Sequence, residues 1–141
     1  MAAITYEIDK TEKTYVAFEG ETLQELEEFL YSGQIFKDCC GYIVYEDETK
    51  RLELSIAALK DYGVYLGFAG EEDVWLSVCD RSNLCNLLDV WGDGLYVSEG
   101  LFINPALAWD AICQFVENGS RSSEIEWMSY DELPEEGNCI C

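Results

Sequence analysis

Histidine is missing from all 141 residues of this chain. Because His is the usual acid–base group near neutral pH, its absence excludes His-based catalytic triads, Cys–His proteases and HExxH zinc sites. Basic residues are also scarce: eight Lys and Arg stand against 29 Asp and Glu, which gives a net charge of −21. Phosphate backbones and anionic lipid head groups repel such a chain, so we expect no direct binding to nucleic acid or to a membrane surface.

Signals for export and membrane insertion are missing as well. The opening MAAITYEIDK contains no basic region followed by an apolar one, and no apolar run approaches the length of a membrane span. The cysteine count is odd, with Cys at positions 39, 40, 79, 85, 113, 139 and 141. These features together predict a cytoplasmic protein whose thiols are mostly reduced.

The composition nevertheless favours a folded domain. Hydrophobic residues make up 49% of the chain and aromatic residues 13%, which is more than an acidic disordered segment contains. The chain has only two prolines, no internal repeat and no Pro/Gly/Ser linker in its interior. We therefore predict one domain over residues 1–130 and an acidic tail over residues 131–141.

The N-terminal third predicts two strands and a helix. Ile4, Tyr6 and Ile8 alternate with polar residues, and an apolar run from Tyr15 to Phe18 follows. Thr22 and Glu25 then form a capping box at the start of an apolar stripe, which predicts an amphipathic helix ending near Gly33.

The middle of the chain predicts antiparallel sheet. Apolar runs at 42–45 and 52–58 flank a polar stretch, and runs at 64–69 and 74–78 flank the turn at 70–73, so two hairpins are expected. A weaker strand is predicted from Leu95 to Val97.

The C-terminal part predicts a second helix and a last strand. Asn104 is suited to the N-cap, Pro105 to the first helical position and Gly119 to a left-handed C-cap. Ile125 and Trp127 then alternate with acids. The whole order predicts an α+β fold in which two main helices pack against an antiparallel sheet.

Motifs for enzymatic chemistry are weak. The pairs Cys39-Cys40 and Cys139-Ile140-Cys141 lack the spacing of structural zinc sites. Carboxylates such as Glu124 and Glu126 form many accidental pairs in so acidic a chain, and surface acids are the default explanation for them. P-loop, dinucleotide-binding and EF-hand patterns are missing. We therefore predict no catalytic activity, no cofactor and no metal, and we keep a thiol- or metal-dependent enzyme as a third hypothesis.

The charge distribution is the most informative feature. Residues 61–141 contain sixteen acids and only two bases, Arg81 and Arg121, which is a net charge of −14. Solubility of a small domain requires a net charge of only about 2–8 in magnitude. A halophile or an unusually soluble protein would explain the excess, but so would a surface that attracts a strongly basic protein partner.

The C-terminal segment resembles the closing motif of a bacterial immunity-protein family. The matching residues are the run from Leu101 to Gly119 and the short strand Ile125-Glu126-Trp127. The family is the first-numbered Imm family of polymorphic toxin and contact-dependent inhibition systems. This sequence departs from the pattern at Met128, where an acid often follows the Trp.

The resemblance implies an α+β protein without catalytic activity that binds a cognate toxin domain and occludes its active site or substrate groove. Toxins paired with this family are often nucleic-acid deaminases, with other nucleic-acid-directed toxins such as nucleases also found. The motif residues are best interpreted as structural. Pro105 would start the helix, Ala111 would allow close packing and Phe115 would lie in the core. Gly119 would cap the helix, and Trp127 would form the core of the last strand.

Candidate partner-binding residues come from the acidic loops and their aromatic neighbours. They are Glu71, Glu72, Asp73, Asp89, Trp91, Asp93, Tyr96 and Glu99. Trp75 is another possible anchor, although its place within a strand favours the core. The alternative hypothesis is an acidic adaptor or nucleic-acid mimic that binds a host DNA-binding protein.

Overall fold

The computed structural model describes the side chains of residues 40–59, 61–89 and 96–133. It also describes the backbone of Cys39 and of strands within residues 3–10, 15–19, 31–32 and 35–36. Within these ranges the fold is an antiparallel sheet with one α-helix, which confirms the α+β prediction in its broad form.

Eight of the twelve described strands overlap the predicted apolar runs, and the strands at residues 31–32, 35–36, 87–89 and 102–103 were not predicted. In chain order the twelve strands are β1 (Ala3–Lys10), β2 (Tyr15–Glu19), β3 (Tyr31–Ser32), β4 (Ile35–Phe36), β5 (Cys39–Glu46), β6 (Arg51–Leu59), β7 (Gly63–Ala69), β8 (Val74–Val78), β9 (Leu87–Asp89), β10 (Tyr96–Ser98), β11 (Phe102–Ile103) and β12 (Glu126–Ser129). Both predicted hairpins of the middle region, β5–β6 and β7–β8, are confirmed.

Eight of these strands form the main sheet of the described residues, in the order β12-β8-β7-β6-β5-β1-β2, with β11 paired to β7. Strands β5 to β8 form a meander, so the β5–β6 and β7–β8 turns lie at the same end of the sheet. Strands β3 and β4 pair with each other, as do β9 and β10.

One edge of β7 is shared by two strands. Strand β8 pairs with β7 at residues 67–69 and β11 pairs with it at residues 64–65, which leaves Leu66 between them. The Leu66 N–H donates to Ser77 Oγ (2.9 Å), and the Ser77 hydroxyl donates to the Leu101 carbonyl (2.8 Å). Ser77 is fully buried, so its hydroxyl satisfies two backbone groups that water cannot reach.

The helix α1 (Pro105–Asn118) has the ends predicted for it. The Asn104 side chain accepts from the Ala106 N–H (2.8 Å), Pro105 occupies the first turn, and Gly119 has φ 70°. A Cβ at Gly119 would lie 2.9 Å from the Tyr45 ring, so this position requires glycine for both its backbone angle and its close approach.

Helix α1 covers one face of the sheet. Its Phe115 ring packs edge-on against Phe68 (5.9 Å between centroids) and Tyr45 (6.1 Å). The core beneath it comes from alternate residues of β5, β6 and β7, together with Ala108, Ala111 and Ile112 of the helix.

The other face of the sheet is only partly covered. Residues 79–89 and 96–101, the covering segment, place Leu84, Val97 and Leu101 over a second core that includes Tyr65, Leu76 and Met128. This segment includes a 3-10 helix at Arg81–Asn83 and the small β9–β10 pair. Among the described residues no second layer covers the remainder of this face, which we call the open face.

Two sequence predictions need correction or restriction. The described residues contain one α-helix, so only one of the two predicted main helices is confirmed. The predicted end of the other near Gly33 is wrong, because Tyr31–Ser32 is a β-strand paired with β4; residues 21–30 lie outside the described residues.

Only the first three residues of the predicted acidic tail, 131–133, are among the described residues. Asp131 and Glu132 belong to a 3-10 helix, Tyr130–Glu132, and Leu133 packs against the second core; residues 134–141 lie outside the described residues.

In the part of the chain that the structure describes, no helix combines the length and apolar character needed to cross a bilayer.

Candidate partner-binding surface

The acidic turn predicted from the sequence lies beside a second acidic turn. Glu71, Glu72 and Asp73 form the exposed β7–β8 turn, and residues 46–48 (Glu, Asp, Glu) occupy the β5–β6 turn at the same end of the sheet. The two turns are two strands apart, which is about 10 Å at the usual spacing between strands. We call these six residues the acidic end.

Asp47 organises its turn through its own carboxylate. Oδ1 accepts hydrogen bonds from the Thr49 N–H (2.8 Å), the Thr49 hydroxyl (2.9 Å) and the Lys50 N–H (3.0 Å). These bonds, those from Thr49 first, lower the pKa of Asp47 below its ordinary value of 3.8. The ionised carboxylate is therefore part of the folded turn.

This turn should make a small pH-dependent contribution to stability. Because the pKa of Asp47 is lowered in the folded state, its carboxylate stabilises the fold fully at pH values above the pKa of Asp in the unfolded chain, about 3.9. This stabilisation is lost as the pH falls through the lower pKa of the folded state. We expect Asp47→Ala to be less stable than the wild type at pH 7, with the difference shrinking below about pH 4. Urea unfolding at pH 7 and pH 3 measures this; an unchanged difference would contradict it.

The basic side chains of the described residues offset the acidic end only in part, through the charge of Lys50 beside Asp47. Each of them lies against a group of this chain: Arg51 near Glu53 (3.9 Å), Arg81 near Glu126 and Glu132, Lys50 over the Tyr45 ring, and Arg121 over the Trp75 ring. Meanwhile none of the Asp and Glu side chains that the structure describes is buried. The acid excess therefore faces solvent.

A groove runs across the open face next to the acidic end. It consists of two depressions of about 360 and 280 Å³ that share Ser55 and Tyr65. Other lining residues are Cys40, Gly41, Tyr42, Glu53, Ala57 and Val97 for the first, and Gly67, Ala69, Val74, Leu76 and Tyr130 for the second. We call this feature the open-face groove.

Small residues make the floor of the groove. Ser55 pairs with Gly67 across the β6–β7 ladder, and a Cβ at Gly67 would lie 2.4 Å from the Tyr65 hydroxyl. The Tyr65 side chain thus lies over the glycine and is itself almost fully buried, with 2% of its surface exposed. A larger residue at position 67 would displace this ring.

The groove connects the two regions that carry the predicted site residues. At one end Ala69 and Val74 form the pair that closes the acidic β7–β8 turn. At the other end Val97 follows Tyr96, whose register partner in the β9–β10 pair is Asp89. None of the described members of the predicted set lines the groove itself, but Asp73 and Tyr96 are the sequence neighbours of its lining residues Val74 and Val97.

The predicted residues differ in their availability to a partner. Glu71, Glu72, Asp73, Asp89 and Tyr96 are all exposed. Glu99 is half-buried and accepts hydrogen bonds from the side-chain amides of Asn83 and of Asn86 (3.1 Å), so its carboxylate ties the two ends of the covering segment together. Trp91 and Asp93 lie outside the described residues.

Trp75 is not an open anchor. It is half-buried on β8, and the Arg121 guanidinium lies 4.2 Å from the centroid of its ring. Stacking of this kind occupies the ring face that a partner would need.

Sequence reasoning missed several residues of this surface. They are Glu46, Asp47, Glu48, Glu53, Ser55 and Tyr130. The order of the hairpins contained a usable signal for the first three, because in an antiparallel meander alternate turns lie at the same end of the sheet. The contribution of Tyr130 depends on β12 pairing with β8, for which the sequence offered no signal.

The arrangement of the Cys, Asp and Glu side chains bears on the metal- and thiol-dependent alternatives. Over residues 40–59, 61–89 and 96–133, no group of three or more Cys, Asp or Glu side chains is arranged to hold a metal ion. Cys79 and Cys85 are exposed free thiols on the covering segment, and Cys139 and Cys141 lie outside the described residues.

Comparison of the chain with protein-family models, with curated proteins and with solved structures gave no match.

Proposed function

We propose that this protein is an immunity protein that binds a basic, nucleic-acid-targeting toxin domain, such as a deaminase or a nuclease, and blocks its active site or substrate groove. The observation that carries the proposal is the combination of a groove lined in part by tyrosines with an acidic end beside it, whose six acids are offset only in part by Lys50. The resemblance of residues 101–127 to the immunity family points in the same direction.

The chemistry of the surface suits such a partner. A toxin that acts on nucleic acid presents Lys and Arg along the groove that holds phosphates. Acidic residues in excess over the cations beside them attract that surface over distances of about 10 Å and thereby raise the association rate. Tyrosines around the groove supply the aromatic contacts in which interface energy is concentrated.

The mechanism is occlusion without chemistry on the toxin. The acidic end occupies the space that nucleic-acid phosphates would fill, and the open-face groove holds side chains of the toxin in a fixed orientation. In this proposal the helix-covered face supports the sheet and makes no contact with the toxin.

Co-expression tests the proposal. The C-terminal domain encoded by the gene immediately upstream would be expressed with and without this protein, while growth and complex formation are scored. We expect rescue from toxicity and a one-to-one complex that weakens as the salt concentration rises. Toxicity that this protein does not relieve, or an upstream domain that is harmless and unbound even at low salt, would contradict the proposal and favour the acidic adaptor.

A further inference from the structure

The open-face groove has a chemistry that one kind of side chain fits well. Its floor of Ser55, Gly67 and Ala69 is small, its walls include the tyrosines at 42 and 130 beside the almost fully buried Tyr65, and Glu53 is one of its lining residues. An occupant thus needs an apolar stem, a planar group that stacks on aromatic rings, and a positive charge.

We infer that the groove takes an arginine side chain from the basic partner, an inference that rests on the proposed function and specifies its contact. The guanidinium group is planar, permanently charged and less strongly hydrated than an ammonium group, so it can stack on tyrosine and still pair with a carboxylate. The acidic end at the mouth of the groove favours a cation over a neutral or anionic side chain.

The chain itself contains the same arrangement once. Arg121 lies 4.2 Å from the Trp75 ring centroid and 5.9 Å from that of Phe68, on the helix-covered face. The open-face groove has Tyr42 in the lining of one depression and Tyr130 in that of the other, and no Lys or Arg is among its lining residues.

Glu53 is positioned to receive the charge. Its present partner is Arg51 at 3.9 Å, and the two side chains are 36% and 58% exposed. A long ion pair in such solvated surroundings contributes little, because water screens it. An incoming guanidinium can therefore replace Arg51 at Glu53 with little loss.

A peptide titration tests the inference without the toxin. The ¹⁵N-labelled protein would be titrated with acetyl-Gly-Arg-Gly-amide and, as an uncharged control of the same shape, with its citrulline analogue. We expect saturable shifts of the Ser55, Gly67 and Ala69 amides with the arginine peptide only. Equal shifts with citrulline or with a lysine peptide, or shifts confined to residues 71–73, would overturn the inference.

Two variants and a matched control locate the binding. Tyr130→Ala removes an exposed wall of the groove and should weaken peptide binding about two- to fivefold, as expected for loss of one exposed cation–π contact. Ser55→Leu fills the floor of the groove and should abolish the peptide-induced shifts of the Gly67 and Ala69 amides. Tyr62→Ala removes a tyrosine of similar exposure (48% against 44%) outside the groove and should leave binding unchanged.

The outcomes separate this inference from the proposed function. Peptide binding in the groove without rescue in the co-expression assay would sustain the arginine site and reject the immunity role. Rescue by a protein whose groove ignores the arginine peptide, and whose Tyr130→Ala variant protects normally, would sustain immunity and reject the arginine site.

Discussion

Reversing the charge of the β7–β8 turn should slow association with a basic toxin domain by about tenfold or more at low salt. The variant is Glu71→Lys, Glu72→Lys and Asp73→Lys, which moves the net charge from −21 to −15. The effect should fall mainly on the association rate, because exposed charges steer the encounter more than they hold the final complex. Stopped-flow or surface-based kinetics over a range of salt concentrations measure it.

A second charge-reversal variant separates the effect of the acidic end on the association rate from the effect of the overall net charge. Asp61, Asp110 and Glu124 are equally exposed, and they lie on the β6–β7 turn, the helix and the loop before β12, away from the acidic end. Changing all three to Lys gives the same net charge of −15. We expect this control to associate at nearly the wild-type rate. If both variants slow association equally, the overall charge governs the encounter and the acidic end has no special role.

Both variants should fold normally. The six acids substituted in these two variants are exposed, and the structure gives none of them a side-chain hydrogen bond or ion pair. Substitutions at such surface positions usually change the free energy of unfolding by less than about 0.5 kcal/mol each. Thermal unfolding of the two variants checks that an altered rate reflects charge.

Ser77→Ala should destabilise the protein by about 2–4 kcal/mol, because it leaves two buried backbone groups without partners at about 1–3 kcal/mol each. The Leu66 N–H and the Leu101 carbonyl both depend on this hydroxyl at the gap between β8 and β11. The second bond also fastens the covering segment to the sheet. Urea unfolding gives the free energy, and Ser123→Ala, at an exposed serine, is the matched control.

The destabilisation should be strongest at the covering segment. Loss of the Ser77–Leu101 bond should raise amide hydrogen exchange in residues 97–102 more than in the β5–β6 hairpin. A Ser77→Ala protein with wild-type stability would mean that water or another group satisfies both backbone groups, and the role assigned to Ser77 would be withdrawn.

Local sequence patterns were sufficient to predict most of the long strands and the helix α1. The hairpins β5–β6 and β7–β8 and the helix α1 follow apolar periodicity and end at residues with specific backbone chemistry, such as Asn104 and Gly119. Such signals act within a few residues, so a single sequence reveals them. The predicted helix end near Gly33 was wrong because the apolar stripe does not reveal that Tyr31 pairs with Phe36.

The site was only partly predictable for a related reason. Glu71 to Asp73 could be chosen as an exposed acidic turn, because four polar residues separate two apolar runs. Glu99 was chosen by the same rule, but its carboxylate is committed to Asn83 and Asn86 across the covering segment. Those partners are 13 and 16 residues away, and no local pattern reports such a contact.

The sequence by itself determined the charge, the lack of histidine, the strand runs and the capped helix, because each depends on composition or on neighbouring residues. The order of the predicted hairpins contained a signal that two acidic turns 25 residues apart share one end of the sheet, and the strand order of the tertiary structure established it. Only the tertiary structure decided that Ser55, Gly67 and Tyr130 border one groove, and that the Ser77 hydroxyl on β8 connects β7 with the covering segment. These features depend on which strands pair and in which register, and the global packing of the core sets that choice.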